Sequence, residues 1–226
     1  MRLLRRWLGE RLPVTGRQFR ELTNEPVPYH LKRWWFALGG TPAYLFIVQI
    51  FTGILLAFYY EASPSTAYES VEFITREVSF GWYIRSVHKW AATLMIVAVI
   101  LHQIRVFFTG AYRKPREINW IVGMCLLICT LLTGFTGYSL VYEQLSFWGA
   151  TVGANIADTV PLIGGFVKRM MLGGDTYNQS TLSRFFVLHA AILPVTIVFL
   201  ITLHITVIRL QGVTEFRFKD EEEGAP

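Results

Sequence analysis

Charge is scarce in this chain. Asp, Glu, Lys and Arg make up 16% of its 226 residues, against about 25% in a typical soluble domain. Hydrophobic residues reach 53%. That balance excludes an ordinary soluble domain and points to an integral membrane protein. Cysteine is nearly absent as well. Cys125 and Cys129 are the two present, four apart inside an apolar run, and no CxxCH attachment motif exists. This excludes a disulfide framework and covalent c-type haem through that motif; the two thiols read as small packing groups. No cleavable signal peptide is expected either, because residues 1–20 are basic and polar with only short apolar runs. The net charge of +5 does not indicate nucleic acid, because the basic residues collect at the ends of apolar segments, as membrane topology requires.

Four long apolar segments fill the middle of the chain. They lie at about 34–60, 83–109, 118–142 and 182–209, each long enough to cross a bilayer. The first is bracketed by Trp34-Trp35 and Tyr59-Tyr60, aromatic pairs suited to the two interfaces. Residues 1–33 carry eight Lys or Arg, and Arg2, Arg5, Arg6 and Arg11 alternate with Leu3, Leu4, Trp7, Leu8 and Leu12. This predicts an interfacial amphipathic helix. The connection at 143–181 is long and semi-polar, with Gly149, Gly153, Pro161, Gly164 and Gly165, and its apolar stretches predict short surface helices. Residues 210–226 read as a polar tail. The expected organisation is thus an N-terminal segment at 1–33, a four-helix domain at 34–209 and a tail at 210–226.

Orientation follows from the cations. Fifteen Lys and Arg belong to the two terminal segments and the connection after the second helix, and six to the opposite side. The positive-inside rule then places both termini in the cytoplasm.

Four histidines stand inside these segments. His88 and His102 are fourteen residues apart; at 100° and 1.5 Å per residue, both leave one helical face about 21 Å apart along the axis. His189 and His204 repeat the pattern fifteen apart in the last segment. The two helices run the same way, so His88 faces His189 near the outer side and His102 faces His204 near the inner side. A zinc or copper site would need three or four ligands converging on one point. Two facing imidazoles at each level are the axial pair of a six-coordinate haem, an iron with no open position that transfers electrons. Two haems b, stacked across the membrane, are expected. His30 reads as an ordinary interfacial residue.

The glycines carry the same period. Gly39 and Gly53 in the first helix are fourteen apart, as are Gly123 and Gly137 in the third. A flat macrocycle between four helices needs close backbone on the two helices that supply no ligand, and glycine permits it. The expected depths are Gly39 and Gly123 at the inner haem and Gly53 and Gly137 at the outer one. Arg85 and Lys89 flank His88, Arg105 follows His102, and Arg209 follows His204; all four are candidate partners for anionic haem propionates. Pro194 is expected to kink the last helix between its two histidines.

The stretches FGWYIRSVHKW, LHQIRVFFTGAYRKPREINW, GFTGYSL and QSTLSRFFVLH resemble signatures of the cytochrome b family, b6 type, over nearly the whole chain. The resemblance implies an all-α dihaem subunit of a quinol oxidoreductase in a bacterial cytoplasmic membrane. It implies quinol oxidation at the outer face, lined by a surface helix at about 143–153, and quinone reduction at the inner face, with Arg209 a candidate there. One electron from each quinol would go to a Rieske iron–sulfur protein and a c-type cytochrome. The other would cross the two haems, and the coupled proton movements would build a gradient. A dimeric complex and a second subunit carrying the rest of cytochrome b are implied partners. The chain departs from the family pattern in three respects. Ala37 stands where the b6 type has the cysteine that tethers an extra haem, so a covalent haem c is expected to be absent. Val141, Tyr142 and Glu143 replace Pro-Trp-Asp, and Lys89 replaces arginine, which loses the bidentate fork. Two readings compete: a dihaem membrane anchor for another quinone-linked oxidoreductase, and a non-enzymatic membrane assembly or interaction subunit with structural sites.

Overall fold

The computed structural model describes Trp7 and residues 34–212. The predicted N-terminal amphipathic helix, His30 and most of the acidic tail lie outside the described residues. Every element among the described residues is helical. In order they are α1 (Trp34–Ala57), α2 (Ala67–Arg76), α3 (Gly81–Phe108), α4 (Glu117–Ser139), α5 (Gln144–Asp158), α6 (Gly164–Leu172) and α7 (Gln179–Val187). A π-helical turn (Leu188–Ile192) and α8 (Leu193–Gln211) follow.

Four stretches are long and apolar enough to cross a membrane: Ala37–Ala57, Gly81–Phe108, Glu117–Ser139 and Gln179–Gln211. They coincide with the four predicted segments to within a few residues. Their outward side chains, such as Phe51, Phe107, Val195 and Phe199, are large, apolar and exposed. In water that would be costly; against lipid it is the expected arrangement.

The chain forms two compact units. One comprises Met1–Ala43, Val97–Leu127 and Phe199–Pro226, and the other Tyr44–Ile96 and Ile128–Val198. In the second unit a small core of Ala67, Leu140, Ala150, Ala154, Leu172, Tyr177, Leu182 and Phe185 ties together α2, α5, α6 and α7. α5 and α6 are the short helices expected in the long connection. α2 lies in the connection between the first two apolar segments, where no helix was predicted and which holds Glu61, Glu69, Glu72 and Glu77. Its buried residues Ala67, Ser70, Val71 and Ile74 nevertheless follow the i, i+3, i+4, i+7 pattern of an amphipathic helix. The chain then turns into α3 at Gly81, where a Cβ would sit 1.9 Å from the Ile74 carbonyl oxygen. Only glycine admits that approach.

α4 leaves its last carbonyls without helical partners. Two phenols satisfy them: Tyr60 donates to the Leu140 carbonyl at 2.7 Å and Tyr177 to the Ser139 carbonyl at 3.0 Å. Burial pushes the Tyr60 phenol well above its ordinary pKa, and the neighbouring Tyr177 adds to the shift. Tyr177 is raised in the same way, by burial and then by Tyr142. α7 opens with a capping box, in which the Asn178 side chain accepts from the Ser180 and Thr181 amides and Thr181 reaches back to the Asn178 amide.

Pro194 stands second in α8, immediately after the π turn. A proline ring clashes with the carbonyl four residues earlier in a regular helix. The wider turn, closed by the Leu193 amide on the Leu188 carbonyl, relieves that clash. A π turn is a one-residue insertion in a helix. The fifteen-residue interval from His189 to His204 therefore keeps the helical phase of a fourteen-residue one, matching that of α3.

Candidate dihaem site

Each unit brings one histidine pair together. His88 and His189 have ring centroids 6.2 Å apart with planes at 71°. His102 and His204 have centroids 6.5 Å apart with planes at 80°. A metal between two imidazoles needs about 2.0 Å on each side and roughly 1.1 Å more from each nitrogen to its ring centroid, about 6.2 Å in all. Both pairs match that span. Among the described residues no group of three or more His, Cys, Asp or Glu converges, so each pair offers an axial set and nothing more.

The four glycines lie against the four histidines. A Cβ at Gly53 would meet His88 Cε1 at 3.3 Å, and one at Gly137 would meet His189 Cε1 at 2.4 Å. Gly39 and Gly123 stand in the same relation to His102 and His204, at 3.2 Å and 3.4 Å. The pairing is therefore Gly53 and Gly137 with the first pair, Gly39 and Gly123 with the second. Each glycine clears space beside the Cε1 edge of one imidazole, on a helix that carries no ligand itself.

Hydrogen bonds fix the tautomers of the first pair. His189 Nδ1 lies 3.0 Å from the Thr133 carbonyl oxygen. A carbonyl only accepts, so Nδ1 carries the proton and Nε2 keeps its lone pair. His88 Nδ1 lies 2.8 Å from Thr52 Oγ1. That hydroxyl already donates its one proton to the Val48 carbonyl at 2.7 Å, so it accepts from His88 Nδ1–H, and again Nε2 is the bare nitrogen. Gln49 holds the same histidine from α1 by donating to its carbonyl at 2.7 Å. Thr136 Oγ1 stands 3.4 Å from His189 Nδ1, with its own proton donated to the Leu132 carbonyl at 2.8 Å.

The second pair is held differently. His102 Nδ1 and His204 Nδ1 are both buried with no hydrogen-bond partner. Thr52 and Thr136 were not singled out from the sequence, although a signal existed. Phe-Thr-Gly occurs at 51–53 and at 135–137, one copy in each ligand-free helix, while the other two glycines follow Leu38 and Val122.

The basic candidates are scattered. Arg105 is buried, at 9% exposure, in the last turn of α3. Arg85 donates to Thr75 Oγ1 at 3.3 Å. Lys89 and Arg209 are exposed. Ala37 is exposed on α1 and presents only a methyl group there. Tyr142 adopts a φ of 55° between α4 and α5, an unusual conformation for a bulky residue. Its ring packs on Tyr177 and Phe147, with centroids 5.5 Å and 6.1 Å apart. Cys125 and Cys129 are free thiols on α4.

Imidazole pairs at metal-spanning distance, bare Nε2 atoms where the tautomer is fixed, and glycine-cleared flanks fit a haem iron at each pair. Known proteins resemble this chain over most of its length. Residues 22–212 match the family described as cytochrome b/b6/petB. Cytochrome b6 of Heliomicrobium gestii is 47% identical, over 93% of this chain and 99% of that protein. Cytochrome b6 of Heliobacterium modesticaldum is 49% identical, over 92% and 98%. Among solved structures, a chain of a hyperthermophilic respiratory Complex III superposes with a TM-score of 0.78 at 30% identity. The match covers 92% of this chain and 55% of that one, so this chain spans about half its length. By sequence, by fold and by its paired histidines, the chain belongs to the cytochrome b/b6/petB family.

Proposed function

We propose that the chain carries electrons between two haems b, one held by His88 and His189 and the other by His102 and His204. It is an integral membrane protein and a b-type cytochrome subunit of a quinol oxidoreductase complex. The observation that carries the dihaem reading is the ring separation, 6.2 Å and 6.5 Å in two separate pairs. When bound, a bis-imidazole haem supplies one-electron transfer with no open coordination position.

The residues of the chain supply the rest. Thr52 and the Thr133 carbonyl keep the Nδ1 protons in place and leave Nε2 to the metal. Gly39, Gly53, Gly123 and Gly137 hold four flanks open. Arg105 is the foremost propionate partner, because it is buried close to His102; Arg85, Lys89 and Arg209 are further candidates.

The direction of flow in this reading is from the outer pair to the inner pair. Electrons enter from quinol at the outer face and leave to quinone at the inner face, with proton translocation coupled to both. The surface helix α5 lines the outer site. A Rieske iron–sulfur protein, a c-type cytochrome and a second subunit completing cytochrome b are the proposed partners in a dimeric complex, and the bacterial cytoplasmic membrane, with both termini inside, the proposed location. Ala37 offers no thiol, so a covalent haem c is proposed to be absent. A dihaem anchor of another oxidoreductase is not favoured, given relatives that match over almost their full length.

The test is the reduced-minus-oxidised spectrum of the complex purified from membranes. Two b-type haems per chain are expected, with His88→Ala removing one of them. No α-band on reduction, or loss of both haems in a variant that still folds and assembles, would refute the reading. A denaturing gel stained for haem should show no band for this chain.

A further inference from the structure

The two histidine pairs differ in what holds their Nδ1 atoms. At the first pair, Thr52 Oγ1 accepts from His88 at 2.8 Å, and the Thr133 carbonyl accepts from His189 at 3.0 Å. At the second pair, His102 Nδ1 is buried without a hydrogen-bond partner, and Leu38 precedes the glycine where Thr52 precedes Gly53.

An acceptor on the far nitrogen makes an imidazole a stronger donor to its metal. A stronger donor favours the ferric state, which carries one more positive charge than the ferrous state. The electron that distinguishes them brings no proton, since Nδ1–H stays on the ring in both. Helix geometry supports the strength of the Thr52 contact. Thr52 is β-branched and fixed at χ1 by its bond to the Val48 carbonyl at 2.7 Å. Its lone pair is therefore preset toward His88. Gln49 and Gly53, on the same face of α1, hold the carbonyl and clear the ring of that histidine.

We infer that Thr52 is a tuning residue: by accepting the Nδ1 proton of His88 it lowers the reduction potential of the haem that His88 and His189 hold. Thr136 plays a lesser part. Its oxygen is 3.4 Å from His189 Nδ1, and the Thr133 carbonyl already serves that nitrogen at 3.0 Å.

The inference rests on the dihaem reading, and the two fail separately. The experiment is a spectroelectrochemical titration of the haems in the purified complex, with each midpoint assigned by its loss in His88→Ala or His102→Ala. Thr52→Val keeps the shape and removes the acceptor. It should raise the midpoint of the His88 haem, changing its oxidised-to-reduced ratio at fixed potential about fivefold, or about 41 mV at 59 mV per tenfold for one electron. Thr52→Ser restores the hydroxyl and should return the midpoint to the wild-type value. Thr136→Val should shift it less than Thr52→Val. The His102 haem should stay unchanged throughout and serves as the internal reference. If Thr52→Val loses its haem, Thr52→Cys is titrated instead; sulfur is a weaker acceptor, and a smaller upward shift is expected. A haem that is present with an unmoved or lowered midpoint in the titrated variant overturns the inference. A wild-type chain lacking the His88 haem overturns the dihaem reading itself.

Discussion

His189 Nδ1 lies 3.0 Å from the carbonyl oxygen of Thr133, one helix donating to the backbone of another. The acceptor is main chain, so no side-chain substitution removes it, and the tautomer of His189 is secured by the fold itself. The contact also pairs the π turn with α4, whose C-terminal carbonyls are closed by Tyr60 and Tyr177. Register at this end of α4 thus determines both the placing of His189 and its protonation.

Gly137 is the least tolerant of the four glycines. A Cβ there would stand 2.4 Å from His189 Cε1, against 3.4 Å for one at Gly123 and His204. Gly137→Ala should displace the ring and cost about 1–3 kcal/mol, the usual range for overpacking. It should abolish or weaken occupancy by the haem of His88 and His189. Gly123→Ala should leave the other haem near full occupancy. Pyridine haemochrome content per chain checks both, and equal effects would contradict the geometry.

The tyrosine caps give the fold an alkaline limit. Both phenols are raised in the folded state, so the fold holds their protons more tightly than the unfolded chain. Their contribution is complete below the ordinary phenol value of about 10 and declines as pH rises above it. Thermal unfolding of the purified complex should therefore become easier from about pH 10 upward. Tyr60→Phe combined with Tyr177→Phe should be less stable near neutrality, by about 1 kcal/mol for each lost hydrogen bond. Its decline in alkali should be shallower, and an unchanged alkaline slope would contradict the role of the caps.

Gly81 tests the packing of α2. Gly81→Ala forces a Cβ onto the Ile74 carbonyl, and backbone on both sides leaves little room to yield. The variant should lower the melting temperature and expose the α2–α3 junction to protease. His102 and His204 belong to the other compact unit, so their haem should be retained. Wild-type protease resistance would contradict this placement.

The four histidines and four glycines could be read from spacing alone, because a 3.6-residue helix converts an interval near fourteen into a shared face. Membrane segments were equally visible, since length and apolarity are one-dimensional properties. Three features were hidden for physical reasons. α2 is short, and exposed Glu69 and half-buried Glu72 stand between its buried positions, so charge masked its period. The π turn leaves no composition signature beyond Pro194, and a kink was the natural expectation where a widened turn stands. Thr52 and Thr136 each donate to the carbonyl four residues back, as helix threonines commonly do; only the three-dimensional approach of His88 and His189 shows what their remaining lone pairs do.

The most direct measurement is low-temperature electron paramagnetic resonance of the air-oxidised complex. Two paired imidazole sets predict two low-spin ferric signals per chain, one lost in His88→Ala and the other in His102→Ala. A high-spin signal from an open-coordinated iron in the wild type, or a single low-spin centre at full haem loading, would contradict the account.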